Sequence, residues 1–138
     1  MKVRKGVYYD QAELECSCGC CWSDPGWGLD ATLVHALDSI RHAMRQPVRV
    51  TSGYRCRKHN EAIGGSPNSY HCQGLAADIN LVEGDQPDLG LVELYHAVVE
   101  VPMIRGIGAY PHHIHVDVRS GPMAFWTVGD PDWYLDTV

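Results

Sequence analysis

Apolar positions along this chain fall into two periodicities. Leu29, Leu33, Leu37, Ile40 and Met44 recur at spacings of three or four, with Val34 beside them, which predicts an amphipathic helix over 29–46. Asp30 is placed to cap its start, and Pro47 follows its end. A second helix is expected over 89–99, and a short one over 58–63 closed by Gly64-Gly65. Between them the period drops to two. Val48 to Thr51 reads as a short strand. In Leu75 to Leu81, Leu75, Ala77, Ile79 and Leu81 alternate with Ala76, Asp78 and Asn80. Gly106 to Tyr110 and His113 to Val118 read as two more strands, joined by a tight Pro111-His112 connection. Residues 1–28 read as an irregular lead-in with a turn at Asp24-Pro25-Gly26, and the tail, 121–138, is expected to pack back on the core through its Trp and Tyr residues.

At 138 residues, 45% of them apolar and 20% charged, the chain suits one domain with a real core, 1–138. The net charge of -6 and the lack of any basic run exclude an electrostatic nucleic-acid binder. No stretch reaches the length of a membrane-spanning helix, and the basic start MKVRK is not followed by the apolar run of a signal peptide. The expectation is therefore a monomer made in the cytoplasm and delivered by other means to wherever it acts.

Alternation sharpens the last strand. His113, His115 and Asp117 share one face, and Ile114, Val116 and Val118 the other. If this strand and 75–81 lie in one sheet, Asp78 and His115 can converge, with His71 entering from the preceding loop. Two imidazoles and a carboxylate make a credible tetrahedral zinc set with a fourth position open. Asp117 reads as a supporting carboxylate rather than a ligand. His35, His42, His59 and His96 read as surface or helix-face residues.

The order of Ser52-Gly53-Tyr54-Arg55, His59-Asn60, Gly64 to Ser69 and His71-Cys72-Gln73-Gly74-Leu75-Ala76-Ala77-Asp78-Ile79 resembles the zinc D-Ala-D-Ala carboxypeptidase family. That family includes phage endolysin peptidases and shares its fold with the hedgehog signalling domain. Its pattern Ser-x-His-x-x-Gly-x-Ala-x-Asp is met by Ser69, His71, Gly74, Ala76 and Asp78, and its second block by Gly106-Ile107-Gly108 and His113 to Asp117. The resemblance spans residues 28–120. It implies an α+β fold, a small and mainly antiparallel sheet with packed helices, and zinc on His71, Asp78 and His115. It implies that Arg55 contacts substrate and stabilises an oxyanion, and that Ser69 supports the site on the substrate side. For the general base it leaves His113, which is preferred, and His112. The implied activity is hydrolysis of a peptide bond in a peptidoglycan stem or cross-link, of DD or LD specificity, as in an endolysin or other wall hydrolase. The rival readings are a zinc-stabilised binding module without turnover and a virion component that engages peptidoglycan.

Six cysteines complete the picture: Cys16, Cys18, Cys20 and Cys21 in one run, then Cys56 and Cys72. Disulfides from the run to Cys56 and Cys72, reduced thiols and a second metal all fit, with disulfides preferred. One zinc on all four cysteines of the run would demand a very tight loop, unlike paired Cys-x-x-Cys ligands.

Overall fold

The structure is a computed structural model that describes residues 1–20, 26–81 and 87–137. Strand β1 (Lys2–Val3) pairs antiparallel with β2 (Leu29–Asp30), and the four-residue helix α1 (Gln11–Leu14) lies between them in sequence. Helix α2 (Ala31–Met44) leads to β3 (Val48–Ser52), and the short helix α3 (Arg57–Ala62) follows. A 3-10 turn (Tyr70–Gln73) enters β4 (Ala76–Leu81), and α4 (Pro87–Val99) comes next. Strands β5 (Gly106–Ala109), β6 (Ile114–Asp117) and β7 (Ala124–Thr127) follow, with a closing 3-10 stretch, Asp132–Thr137.

The main sheet has the order β3-β4-β6-β5-β7, antiparallel except for β7, which runs parallel to β5. This is the α+β architecture expected. The helical stripe behaves as its spacing requires. Leu33, Val34, Ala36, Leu37 and Ile40 are buried along one face of α2, and Asp30 Oδ1 accepts from Thr32 N at 2.8 Å, supplying a partner to one of the first-turn donors. Arg45 ends that helix in the left-handed region, φ 57°. The α2 stripe joins Leu91, Leu94 and Val98 of α4 and the inward positions Val48, Val50, Ala77, Ile79, Ile107, Ile114 and Val116 in one core. Each fully buried Leu or Ile is worth about 1.5–3 kcal/mol of transfer free energy. With both long helices on one face of the sheet, the other face is left open, and Asp78 and His115 point to it.

Two stretches are more ordered than their composition predicts. The lead-in is not irregular throughout: it holds β1 and α1, and Tyr9 and Leu14 join the core, with Tyr9 Oη donating to Val48 O at 2.8 Å. The turn signal at Asp24-Pro25 and the cysteine at position 21 lie outside the described residues. The tail contributes the edge strand β7, and Trp133 is 1% exposed, its indole N–H donating to Tyr110 O at 2.8 Å. Among the described residues no helix is long and apolar enough to cross a membrane.

Candidate metal centre

The register of β4 on β6 sets Asp78 directly opposite His115. Both side chains rise from the open face because residues two apart share a face, while Ile79 and Ile114 turn into the core. His71 arrives from the 3-10 turn. Ser69 caps that turn, its Oγ accepting from His71 N at 3.2 Å, and Gly74 closes it at φ 72°, a conformation glycine adopts without strain. The backbone N–H of Arg55 donates to His71 O at 3.2 Å, which locks the His71 turn to the loop after β3.

The three groups meet closely. His71 Nε2 lies 3.3 Å and His115 Nδ1 3.2 Å from the same oxygen, Asp78 Oδ1. Ligand atoms about 2.0–2.1 Å from a tetrahedral zinc are separated by about 3.3–3.4 Å. The donor set therefore has the spacing and chemistry that a small tetrahedral ion requires.

Each imidazole is also turned the right way. His71 Nδ1–H donates to Gly53 O at 2.9 Å, which leaves Nε2 with a lone pair facing the site. His115 Nε2–H donates to Asp117 Oδ2 at 2.8 Å, which leaves Nδ1 facing the site. Outer partners of this kind orient metal-binding histidines and raise their basicity. Asp117 itself is fully buried and takes the Arg119 guanidinium at Nε (2.8 Å) and Nη2 (2.7 Å).

Glycines on the neighbouring strand make room for this arrangement. Gly106 faces Asp117 and Gly108 faces His115 across β5–β6. A Cβ at Gly106 would run into the Asp117 carboxylate, and one at Gly108 would meet the Trp126 indole at 2.6 Å. Trp126, from β7, thus lies over Gly108 with its ring 5.1 Å from that of His115.

Burial alone would raise the Asp78 carboxyl, but hydrogen bonds and charge from His115 and His71 outweigh it and hold it well below the usual carboxylate range. Asp117 behaves likewise: burial opposes ionisation, and the bonds from Arg119 and His115 prevail. For His115, burial favours the neutral ring, yet the bonds to Asp117 and Asp78 lift its pKa above the ordinary value. Burial lowers the His113 pKa; Asp78 opposes this, and the neighbouring imidazoles reinforce it.

The centre forms the floor of a cleft of about 660 Å³ lined by Arg55, Ser69, Tyr110, His113, Arg119 and Trp126 as well as by the three groups themselves. His113 Nε2 stands 3.9 Å from Asp78 Oδ1, its ring stacked on Tyr110 with centroids 4.3 Å apart. His112 is exposed, does not line the cleft, and uses its carbonyl to accept from Asn80 Nδ2. Arg55 is held by Asn60 Oδ1 (2.9 Å, from Nη1) and Ser52 Oγ (3.2 Å, from Nη2), with Nη2 3.8 Å from Asp78 Oδ2. The Ser69 hydroxyl accepts from the His71 amide, so it positions that turn as well as facing the cleft. Arg119, Tyr110 and Trp126 were not singled out from the sequence. Arg119 lies over the rings of Tyr70 and Trp126, at 4.6 and 5.3 Å. Only the Asp-x-Arg spacing of Asp117 and Arg119 hinted at their pairing.

The cysteines depart from the preferred expectation. No disulfide joins Cys16, Cys18, Cys20, Cys56 and Cys72 to one another. The sulfurs of Cys16, Cys18, Cys20 and Cys56 gather in one group, and Cys72 is outside it.

Residues 7–117 match the family model of peptidase M15. The chain belongs to the peptidase M15 family. Over 92 residues it is 34% identical to the zinc D-Ala-D-Ala carboxypeptidase of Streptomyces albus G. That stretch covers 66% of this chain and 35% of the relative, so the chain matches only about a third of the longer protein. The M15 match takes in α2, the His71 turn and the two strands, β4 and β6, that carry the centre. The resemblance drawn from the ordered blocks around Arg55, His71 and His115 is therefore shown at the level of the family.

Proposed function

We propose that this M15 chain is a zinc-dependent peptidase that hydrolyses an amide bond in the peptide part of peptidoglycan, with His71, Asp78 and His115 as the metal ligands. The observation that carries the reading is the convergence of His71 Nε2 and His115 Nδ1 on Asp78 Oδ1 at 3.3 and 3.2 Å, on the floor of an open cleft. The zinc-named relative from Streptomyces supports the choice of metal and of substrate class. Bound zinc supplies Lewis-acid polarisation of a carbonyl and makes water a stronger acid near neutral pH.

The chain's own groups then divide the work. Arg55 presents a guanidinium beside Asp78, where it meets the negative charge that grows on the carbonyl oxygen as water adds to carbon. His113 Nε2 accepts the proton of that water, because its half-buried ring, with a lowered pKa, is neutral near pH 7 and faces the cleft. As the C–N bond breaks, His113 returns the proton to the leaving amine. His112, exposed and away from the cleft, is not placed for this role. Asp117 holds His115 in the metal-binding tautomer, and Ser69 contacts substrate at the cleft edge while capping the His71 turn. Tyr110 and Trp126 give the cleft apolar walls suited to the methyl groups and backbone of a short peptide.

Zymography on purified cell walls tests this reading. Metal-replete protein should clear the substrate, and His115→Ala and His113→Ala should not. A zinc-loaded, folded wild type that binds walls without releasing stem peptides would instead mark a binding module.

A further inference from the structure

We infer that Cys16, Cys18, Cys20 and Cys56 form a second, structural zinc site that fastens the N-terminal segment to the loop bearing Arg55. Sulfur spacing separates this from a disulfide. Cys16 and Cys18 Sγ are 3.3 Å apart, Cys18 and Cys56 3.6 Å, and Cys16 and Cys56 3.9 Å, with all four sulfurs within 4.8 Å of one another. A disulfide brings two sulfurs to about 2.05 Å. Four thiolates about 2.3 Å from a tetrahedral zinc stand about 3.8 Å apart, edge to edge. The observed separations bracket the second value, and they involve more than one pair, which a disulfide does not require.

The surroundings are built for sulfur that carries charge. The backbone N–H of Cys56 points at Cys16 Sγ at 3.5 Å, and that of His59 donates to Cys56 Sγ at 3.3 Å. Gly19, at φ 80°, turns the chain between Cys18 and Cys20, and its N–H donates to Cys16 O at 3.1 Å. That turn lets three alternate residues aim at one point, where four ligands from the Cys16–Cys21 run alone would crowd. Cys56, forty positions from Cys16, supplies the remaining sulfur. Cys16 and Trp27 form a small buried cluster, against which Cys20, Tyr54 and Cys56 pack.

Four sulfur ligands close the coordination sphere, so this ion is structural and not a site of hydrolysis. Soft thiolates select zinc over calcium or magnesium. Each thiol gives up its proton to solvent as the ion binds, so no oxidant is consumed. The consequence reaches the cleft: Cys56 follows Arg55 directly, and the Gly53–Tyr54 segment packs against Leu14, with Tyr54 N donating to Leu14 O at 2.9 Å.

The test is zinc counted by mass spectrometry on full-length protein purified without oxidant, together with thiol labelling. Wild type should hold two zinc ions per chain, His115→Ala one, and Cys18→Ser combined with His115→Ala none. Cobalt added to metal-free His115→Ala should show thiolate-to-cobalt charge transfer, a readout that keeps all the cysteines in place and so survives any misfolding of cysteine variants. Cys72→Ser should leave that absorption unchanged. Zinc-free His115→Ala with every cysteine readily labelled, or an intact mass showing disulfides in freshly purified protein, would overturn the proposal. One ion in wild type that survives His115→Ala and is lost on Cys18→Ser would uphold this site and sink the histidine centre instead.

Discussion

Replacing Asp117 by Asn separates an orienting carboxylate from a merely buried one. The carboxylate accepts on both oxygens: Oδ2 takes His115 Nε2 (2.8 Å) and Arg119 Nη2 (2.7 Å), and Oδ1 takes Arg119 Nε (2.8 Å) and the Arg119 amide (3.2 Å). Asparagine has nearly the same shape but only one accepting end. With its oxygen toward Arg119 Nε, its NH2 faces two donors, and His115 must release Nε2–H and move its proton to Nδ1, the atom needed by the metal. With its oxygen toward His115, the clash moves to Arg119 Nε and the amide. Either way two bonds to charged or buried donors are lost, each worth about 1.5–3 kcal/mol in such settings. Arg119, one-fifth exposed, recovers part of its loss by turning to water. The net expectation is about 2–3 kcal/mol of stability, of the order of 10 °C in melting temperature for a chain of this length. Zinc affinity at the histidine centre should fall about 10–100-fold, read by competition with a fluorescent chelator in a background where the cysteine group is saturated. Arg119→Gln keeps the His115–Asp117 bond and should lose stability with a smaller effect on zinc. Wild-type zinc affinity in a folded Asp117→Asn protein would show that the Asp117 carboxylate does not set His115 for the metal.

Other expectations follow from the same geometry. Arg55→Ala should lower kcat about 100–1000-fold with little change in zinc content, as for loss of an oxyanion donor, measured on a defined muropeptide. Because the His113 pKa is lowered, a base at His113 would stay unprotonated as pH falls through the ordinary imidazole value of 6.5, and the acid limb of kcat/KM should lie below that value; His113→Gln should remove this limb along with most of the activity. Gly108→Ala should displace the Trp126 indole, which stands 2.6 Å from the added carbon, and weaken substrate binding more than fold stability, seen as a rise in KM. In the core, Leu37→Ala should cost about 2–5 kcal/mol in a denaturant titration, since Leu37 is fully buried.

The legible parts of this chain were those where a local rule acts alone. The α2 stripe and the Asp30 cap depend on spacing within one helix, and strand alternation set Asp78 and His115 on exposed faces before any pairing was known. Their meeting needed the register of β4 on β6, which alternation permits but does not specify. Strand β7 was hidden because Ala-Phe-Trp-Thr is a short edge segment whose outward positions include the apolar Phe125, so its alternation of burial has no matching alternation of polarity. With it went Trp126, whose place against His115 depends on Gly108 in another strand. The cysteine group was unreadable for a related reason: Cys56 joins it only through tertiary contact across forty positions, so a rule that looks for neighbouring ligand pairs groups the wrong residues.

Mass spectrometry of a defined muramyl pentapeptide incubated with zinc-loaded protein tests zinc-dependent hydrolysis at this centre. Hydrolysed peptide products should appear, disappear on chelation, return with added zinc, and be absent with folded His115→Ala. Intact substrate after incubation with wild-type protein shown to hold zinc on its histidines would contradict it.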